Sequence, residues 1–173
     1  MPDGVIVQLP ADAIPRLAAA IAALVPEDTA RFLAVLELGY LAASADGLDA
    51  AEREALATTL ERVTGIGHDQ AAFAAHFADL DAAVATLGRR ERLARTAAEL
   101  ETEEARADAI RFAALVAMCD GTLHAPELEV LVEAGGHFQW SAEQVHGLVT
   151  EAAARVRGAD DGASRTHSGE RDR

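Results

Sequence analysis

Apolar residues recur every three to four positions along almost the whole chain, so the sequence predicts helix nearly everywhere, with breaks where Gly, Pro or a capping residue intervenes. The first helix is expected over 15–25, with Leu17, Ile21, Leu24 and Val25 on one stripe; Pro26 closes it and is expected at N1 of the second. That second helix runs to about residue 45 and is apolar on nearly every side, through Phe32, Leu33, Val35, Leu36, Leu38, Tyr40 and Leu41, which places it at the centre of a bundle. A third spans 50–64 with Leu56, Leu60 and Val63 inward, and Gly65-Ile66-Gly67 breaks it. His68 or Asp69 starts a fourth that ends near Gly88. The fifth, 89–99, is the most polar. The sixth, 103–119, repeats the character of the second through Ile110, Phe112, Leu115 and Val116. Helices over 125–134 and 141–156 complete the set, the last opened by Ser141 as N-cap. Nothing past the first ten residues asks for a sheet, and 4–9 reads as a short extended arm. The expectation is an all-α fold, a single compact helical bundle of about seven to eight helices. It is bounded by an N-terminal arm over 1–9 and a disordered tail over 158–173, leaving 10–157 as the domain.

One stretch repeats. Leu41-Ala42-Ala43-Ser44-Ala45-Asp46-Gly47 aligns with Leu115-Val116-Ala117-Met118-Cys119-Asp120-Gly121, 74 residues later, each ending a strongly apolar helix on Asp-Gly. In the first copy Glu52 follows Asp46 by six residues and Leu56 comes four later; in the second Glu127 follows Asp120 by seven and Leu131 comes four later. Two related helix hairpins in one bundle imply an approximate two-fold axis.

Composition narrows the function classes. The chain has 173 residues, half of them hydrophobic but only 4% aromatic; with 41 alanines, the core is made of small side chains suited to closely approaching helices. All 15 basic residues are arginine against 29 acids, a net charge of −14, which disfavours nucleic acid or an anionic membrane surface and favours cations and basic partners. The tail carries three arginines and four acids, so the acidity belongs to the domain. One cysteine cannot close an internal disulfide, no apolar run approaches the roughly 20 residues of a membrane span, and residues 1–10 lack a secretory signal's basic and apolar regions. A cytoplasmic protein is expected.

The repeated carboxylates have two readings. As hard oxygen donors, Asp46, Glu52, Asp120 and Glu127, joined by Asp49, Glu54 and Glu129 as additional ligands, would suit calcium or magnesium, because clustered carboxylates repel one another until a cation neutralises them. As helix caps, Asp49 and Glu52 have the N-cap and N3 spacing of a capping box, and Gly47 suits the left-handed position after a helix. The second copy puts His124 at N-cap, so capping explains it less well although Glu127 persists at N3. An EF-hand is excluded: the early ligand positions of its loop fall on Val116 and Met118, and in the first copy the last falls on Arg53.

An Ala-rich helix ending in Ala-Asp-Gly or Cys-Asp-Gly, then a helix beginning with Glu and carrying Leu four later, twice, resembles the tellurite-resistance TerB family. The same all-helical fold is shared with the N-terminal domain of DjlA co-chaperones. The resemblance covers roughly 27–156. It implies a bundle of about seven helices, an acidic cluster proposed to bind divalent metal, carried here by Asp46, Glu52, Asp120 and Glu127, and a cytoplasmic stress or phage-defence role near membranes, compatible with peripheral association. Two departures stand out: the first loop is one residue shorter, and His124 replaces a small capping residue. The alternative is a non-catalytic helical adaptor whose acidic face binds a protein partner.

Other patterns carry less. Glu143 and His146 have the Glu-x-x-His spacing of di-iron bundles but no second copy, the histidines show no tight zinc spacing, and Cys119 beside Met118 reads as a buried, inert thiol. No Gly-rich phosphate loop or nucleophile motif occurs, so no enzyme is expected. Arg89, Arg90, Arg92 and Arg95 read as a solvated helix face with i,i+4 pairs such as Glu91 to Arg95, and Phe138 with Trp140 as an aromatic lock between helices.

Overall fold

A computed structural model describes residues 4–64 and 70–158. The expected start of the fourth helix at His68 or Asp69, and nearly all of the 158–173 tail, lie outside the described residues. Within them are eight α-helices and one two-stranded sheet.

The apolar periodicity decides the centre of the molecule. Helices α2 (Thr29–Ala43) and α6 (Glu103–Ala117) make the most extensive helix pair, and each buries most of its circumference. Gly39 permits this approach: a Cβ there would meet Phe112 Cε1 at 3.3 Å and Val116 Cβ at 3.4 Å. Around the pair lie α1 (Ile14–Ala22), α3 (Ala50–Thr64), α4 (Gln70–Leu87), α5 (Arg89–Ala98), α7 (Ala125–His137) and α8 (Ala142–Arg157). Helices α7 and α8 pack on α6, α5 and α7 on α2, and α3 on α1 and α4.

Helix ends follow local chemistry, with two departures from expectation. Helix α1 stops at Ala22 because Val25 precedes Pro26, a position that resists the helical conformation. Pro26 does not open α2; Asp28 does, its Oδ1 accepting from Arg31 N at 2.8 Å. Ser141 caps α8 as expected, in a box with Gln144 (3.2 and 2.8 Å). Phe138 is buried, edge-on to Trp140 at 5.3 Å and covered by the Arg106 guanidinium, so the aromatic pair in the α7–α8 connection meets α6.

A sheet exists where none was expected past residue ten. Strand β1 (Val5–Gln8) pairs antiparallel with β2 (Thr122–His124), Val7 opposite Leu123 and Gln8 opposite Thr122, with an irregularity between Val5 and Val7. Three residues are too few to show alternation, and the partner is over a hundred positions away, so no local pattern announces it. The N-terminal arm is thereby docked: Leu9 N donates to Gly121 O at 2.7 Å, and Arg157 Nη2 to Gln8 O at 2.7 Å.

The arginine face of α5 is not simply solvated. Glu91 and Arg95 pair at 3.2 Å as expected, but Arg92 turns inward to form a bidentate pair with Glu37, buried in α2, and Thr96 Oγ1 donates to the same carboxylate at 2.8 Å. Arg89 Nη2 donates to Ala45 O at 3.1 Å, just beyond the end of α2.

Candidate functional site

Each repeat ends its apolar helix in a left-handed glycine, Gly47 at φ +91° and Gly121 at φ +97°, a conformation that favours glycine because a Cβ would clash with its own backbone. The chain then re-enters a helix whose first turn carries the repeated glutamate. In the first copy Asp49 and Glu52 form a reciprocal capping box on α3: Glu52 N donates to Asp49 Oδ1 at 2.8 Å and Asp49 N to Glu52 Oε2 at 2.9 Å. In the second only half of this is made. His124 N donates to Glu127 Oε2 at 2.7 Å, while the imidazole turns away with its Nε2 3.0 Å from Thr122 Oγ1, its Nδ1 without a partner among the described residues. Asp120 Oδ1 instead organises its own turn, accepting from Thr122 N and Thr122 Oγ1, both at 2.8 Å.

The two turns come together. Asp46, Glu52, Asp120 and Glu127 all line one solvent-open cleft of about 290 Å3. Leu56, Val116 and Ala117 supply its apolar floor, and Cys119 contributes the thiol. Asp49, Glu54 and Glu129 are exposed and lie outside the lining. Glu52, Asp120 and Glu127 each commit one carboxylate oxygen to a local cap or turn, and Asp46 makes no side-chain hydrogen bond among the described residues. As placed, the carboxylates share a cleft without converging: among the described residues no three His, Cys, Asp or Glu side chains come close enough to hold an ion.

The electrostatics are uneven. Glu127 is only 7% exposed, whereas Asp46, Glu52 and Asp120 are exposed. Burial pushes the Glu127 carboxyl up to about 7, opposed by the His124 backbone bond and reinforced by the charges of Asp120 and Asp46. The same surroundings push the half-buried Cys119 thiol up to about 12, chiefly by burial, then by Asp120 and Glu127, so at neutral pH it is a protonated, poor nucleophile. Glu143 and His146 sit exposed on α8, away from the cleft.

Sequence reasoning missed what holds the first turn in place. Arg53 Nε donates to Tyr40 Oη at 3.2 Å, Arg53 Nη2 pairs with Asp81 Oδ2 at 2.9 Å, and Tyr40 Oη donates to Asp81 Oδ1 at 2.8 Å. The visible signal was Tyr40, the chain's single tyrosine, inside an otherwise apolar helix: a buried hydroxyl needs a partner.

Against known proteins, the family description "Tellurite resistance protein TerB" matches residues 32–150, a span holding both turns and the whole cleft. No curated protein and no solved structure matches. Among the described residues, no helix is long and apolar enough to cross a membrane.

Proposed function

The chain belongs to the TerB family, and from that premise we propose that its cleft takes up one divalent cation, calcium or magnesium, on Asp46, Glu52, Asp120 and Glu127, in a cytoplasmic stress-response role of the tellurite-resistance type. The observation supporting this is the meeting of two Asp-Gly turns, 74 residues apart in sequence, in the wall of a single cleft. The buried Glu127 carboxylate adds to it, because ionising that group among Asp120 and Asp46 is unfavourable until a positive charge offsets both burial and repulsion. Uptake requires Asp46 and Glu52 to swing across the cleft, which their exposure permits. The role is binding, with no reaction assigned.

A second reading is an adaptor whose acidic face docks a basic protein partner. It is favoured by the caps and turns that already employ Glu52 and Asp120, and by exposed Glu54 and Glu129 outside the lining. Thermal unfolding of metal-stripped protein with calcium, magnesium, manganese or zinc separates the two. A ligand bound only by the native state adds RT ln(1 + [L]/Kd) to stability. The cation reading expects a rise of several degrees for one ion, lost in both Asp46→Asn and Asp120→Asn. No rise with any ion overturns it and leaves the adaptor, to be pursued by pull-down.

A further inference from the structure

We propose that Arg53 is a positioning residue for this cleft: clamped by Tyr40 and Asp81, it fixes the 46–49 turn so that the first-copy carboxylates are presented to the second-copy ones. The inference rests on the cation reading above. Arg53 follows Glu52 directly, yet its side chain leaves the cleft and runs back to α2 and α4, where Tyr40 and Asp81 hold it. That anchor is firm, since Tyr40 is 1% exposed and its ring stacks on Phe77 with centroids 4.3 Å apart. From there Nη2 reaches Leu48 O at 3.4 Å, inside the turn and in the cleft wall. The planar guanidinium holds these directions at once through two separate nitrogens, Nε on Tyr40 and Nη2 on Asp81 and Leu48 O. Gly47, beside Leu48, has open space where a side chain would be, so its own surroundings do little to confine it.

Among the described residues the second turn has no such clamp. The position matching Arg53 is Leu128, and the turn is held by Leu9 N on Gly121 O and by Asp120 on Thr122. Each half of the cleft therefore has its own holder. In the first half Arg53 works beside the Asp49–Glu52 box and Arg89 on Ala45 O, and it is the one that ties the turn to α4.

The test uses the full chain carrying Tyr40→Phe, which keeps the ring and every charge but removes the hydroxyl between Arg53 and Asp81, and separately Asp81→Asn. Amide hydrogen exchange is read on metal-stripped protein, and binding of calcium and magnesium by calorimetry. The expected result is faster exchange at residues 47–49 with residues 121–123 unchanged, and cation affinity weaker by about tenfold, the low end for losing a group that orients a ligand. In double variants, Asp46→Asn adds little to this loss while Asp120→Asn adds in full. Equal loosening of both turns, or of neither, overturns the proposal. Unchanged affinity in Tyr40→Phe, with wild-type uptake intact, overturns it while sparing the cation reading. A wild-type chain that takes up no ion overturns both.

Discussion

The α2–α3 hairpin and the α6–α7 hairpin end on the same Asp-Gly turn but are stabilised by different means. The first is held by side chains: a full capping box at Asp49 and Glu52, the Arg53 clamp, and Arg89 on Ala45 O. The second adds main chain from a distant segment, a strand pair and Leu9 N on Gly121 O, to the local side-chain bonds of Asp120 and Glu127. A second contrast, in burial, lies deeper. Glu37 and Arg111 occupy matching positions in the repeat, but Glu37 is buried against Arg92, while Arg111 spans the exposed carboxylates of Asp108 and Glu151 at 2.9 Å each. A repeated sequence motif thus fixes backbone shape at a turn without fixing what supports it.

The sharpest way to break this comparison is at its buried charge. Arg92→Met strands the Glu37 carboxylate with only Thr96 and is expected to cost about 3 kcal/mol in chemical denaturation. Arg111→Met, whose partners are exposed, costs about 1 kcal/mol or less. Equal losses would dissolve the distinction.

The cleft offers a pH test of similar scale. Because the folded Glu127 carboxyl binds its proton more tightly than the unfolded one, the native state holds more protons between the ordinary carboxylate range and about pH 7. Its contribution to stability is therefore greatest below that window and is lost as pH rises through it. Metal-stripped protein should lose about 2–3 kcal/mol from this group between pH 5 and pH 8. Glu127→Gln flattens that slope, and Glu52→Gln is the control; a slope that survives Glu127→Gln assigns it elsewhere.

Smallest are the caps. Asp49→Ala removes a made capping bond and is expected to cost about 1 kcal/mol. His124→Ala, whose side chain makes none, should stay within about 0.5 kcal/mol. Thermal melts of the pair decide it.

The legible parts of this molecule were those written at short range. An all-round apolar pattern identified α2 and α6 as the centre, and spacing alone found the Asp49 and Glu52 box and the duplicated turn. The four repeated acids were named from sequence, and the structure sets them around one cleft. Illegible were the pairings between distant elements: Glu37 with Arg92, Arg53 with Tyr40 and Asp81, and β1 with β2. The expected Pro26 start failed for a different reason, since Asp28 two residues on offers a side-chain acceptor that proline lacks.

The sheet imposes an order on synthesis. Strand β1 leaves the ribosome before its partner, which lies more than a hundred residues downstream. At about 5–20 residues per second, that partner follows only after something like ten seconds. Through that interval Val5, Ile6, Val7 and Leu9 are translated and unpaired, a short apolar strand with an open edge. The second Asp-Gly turn is thus the last part of the cleft to emerge, and residues translated more than a hundred positions before it are the ones that secure it.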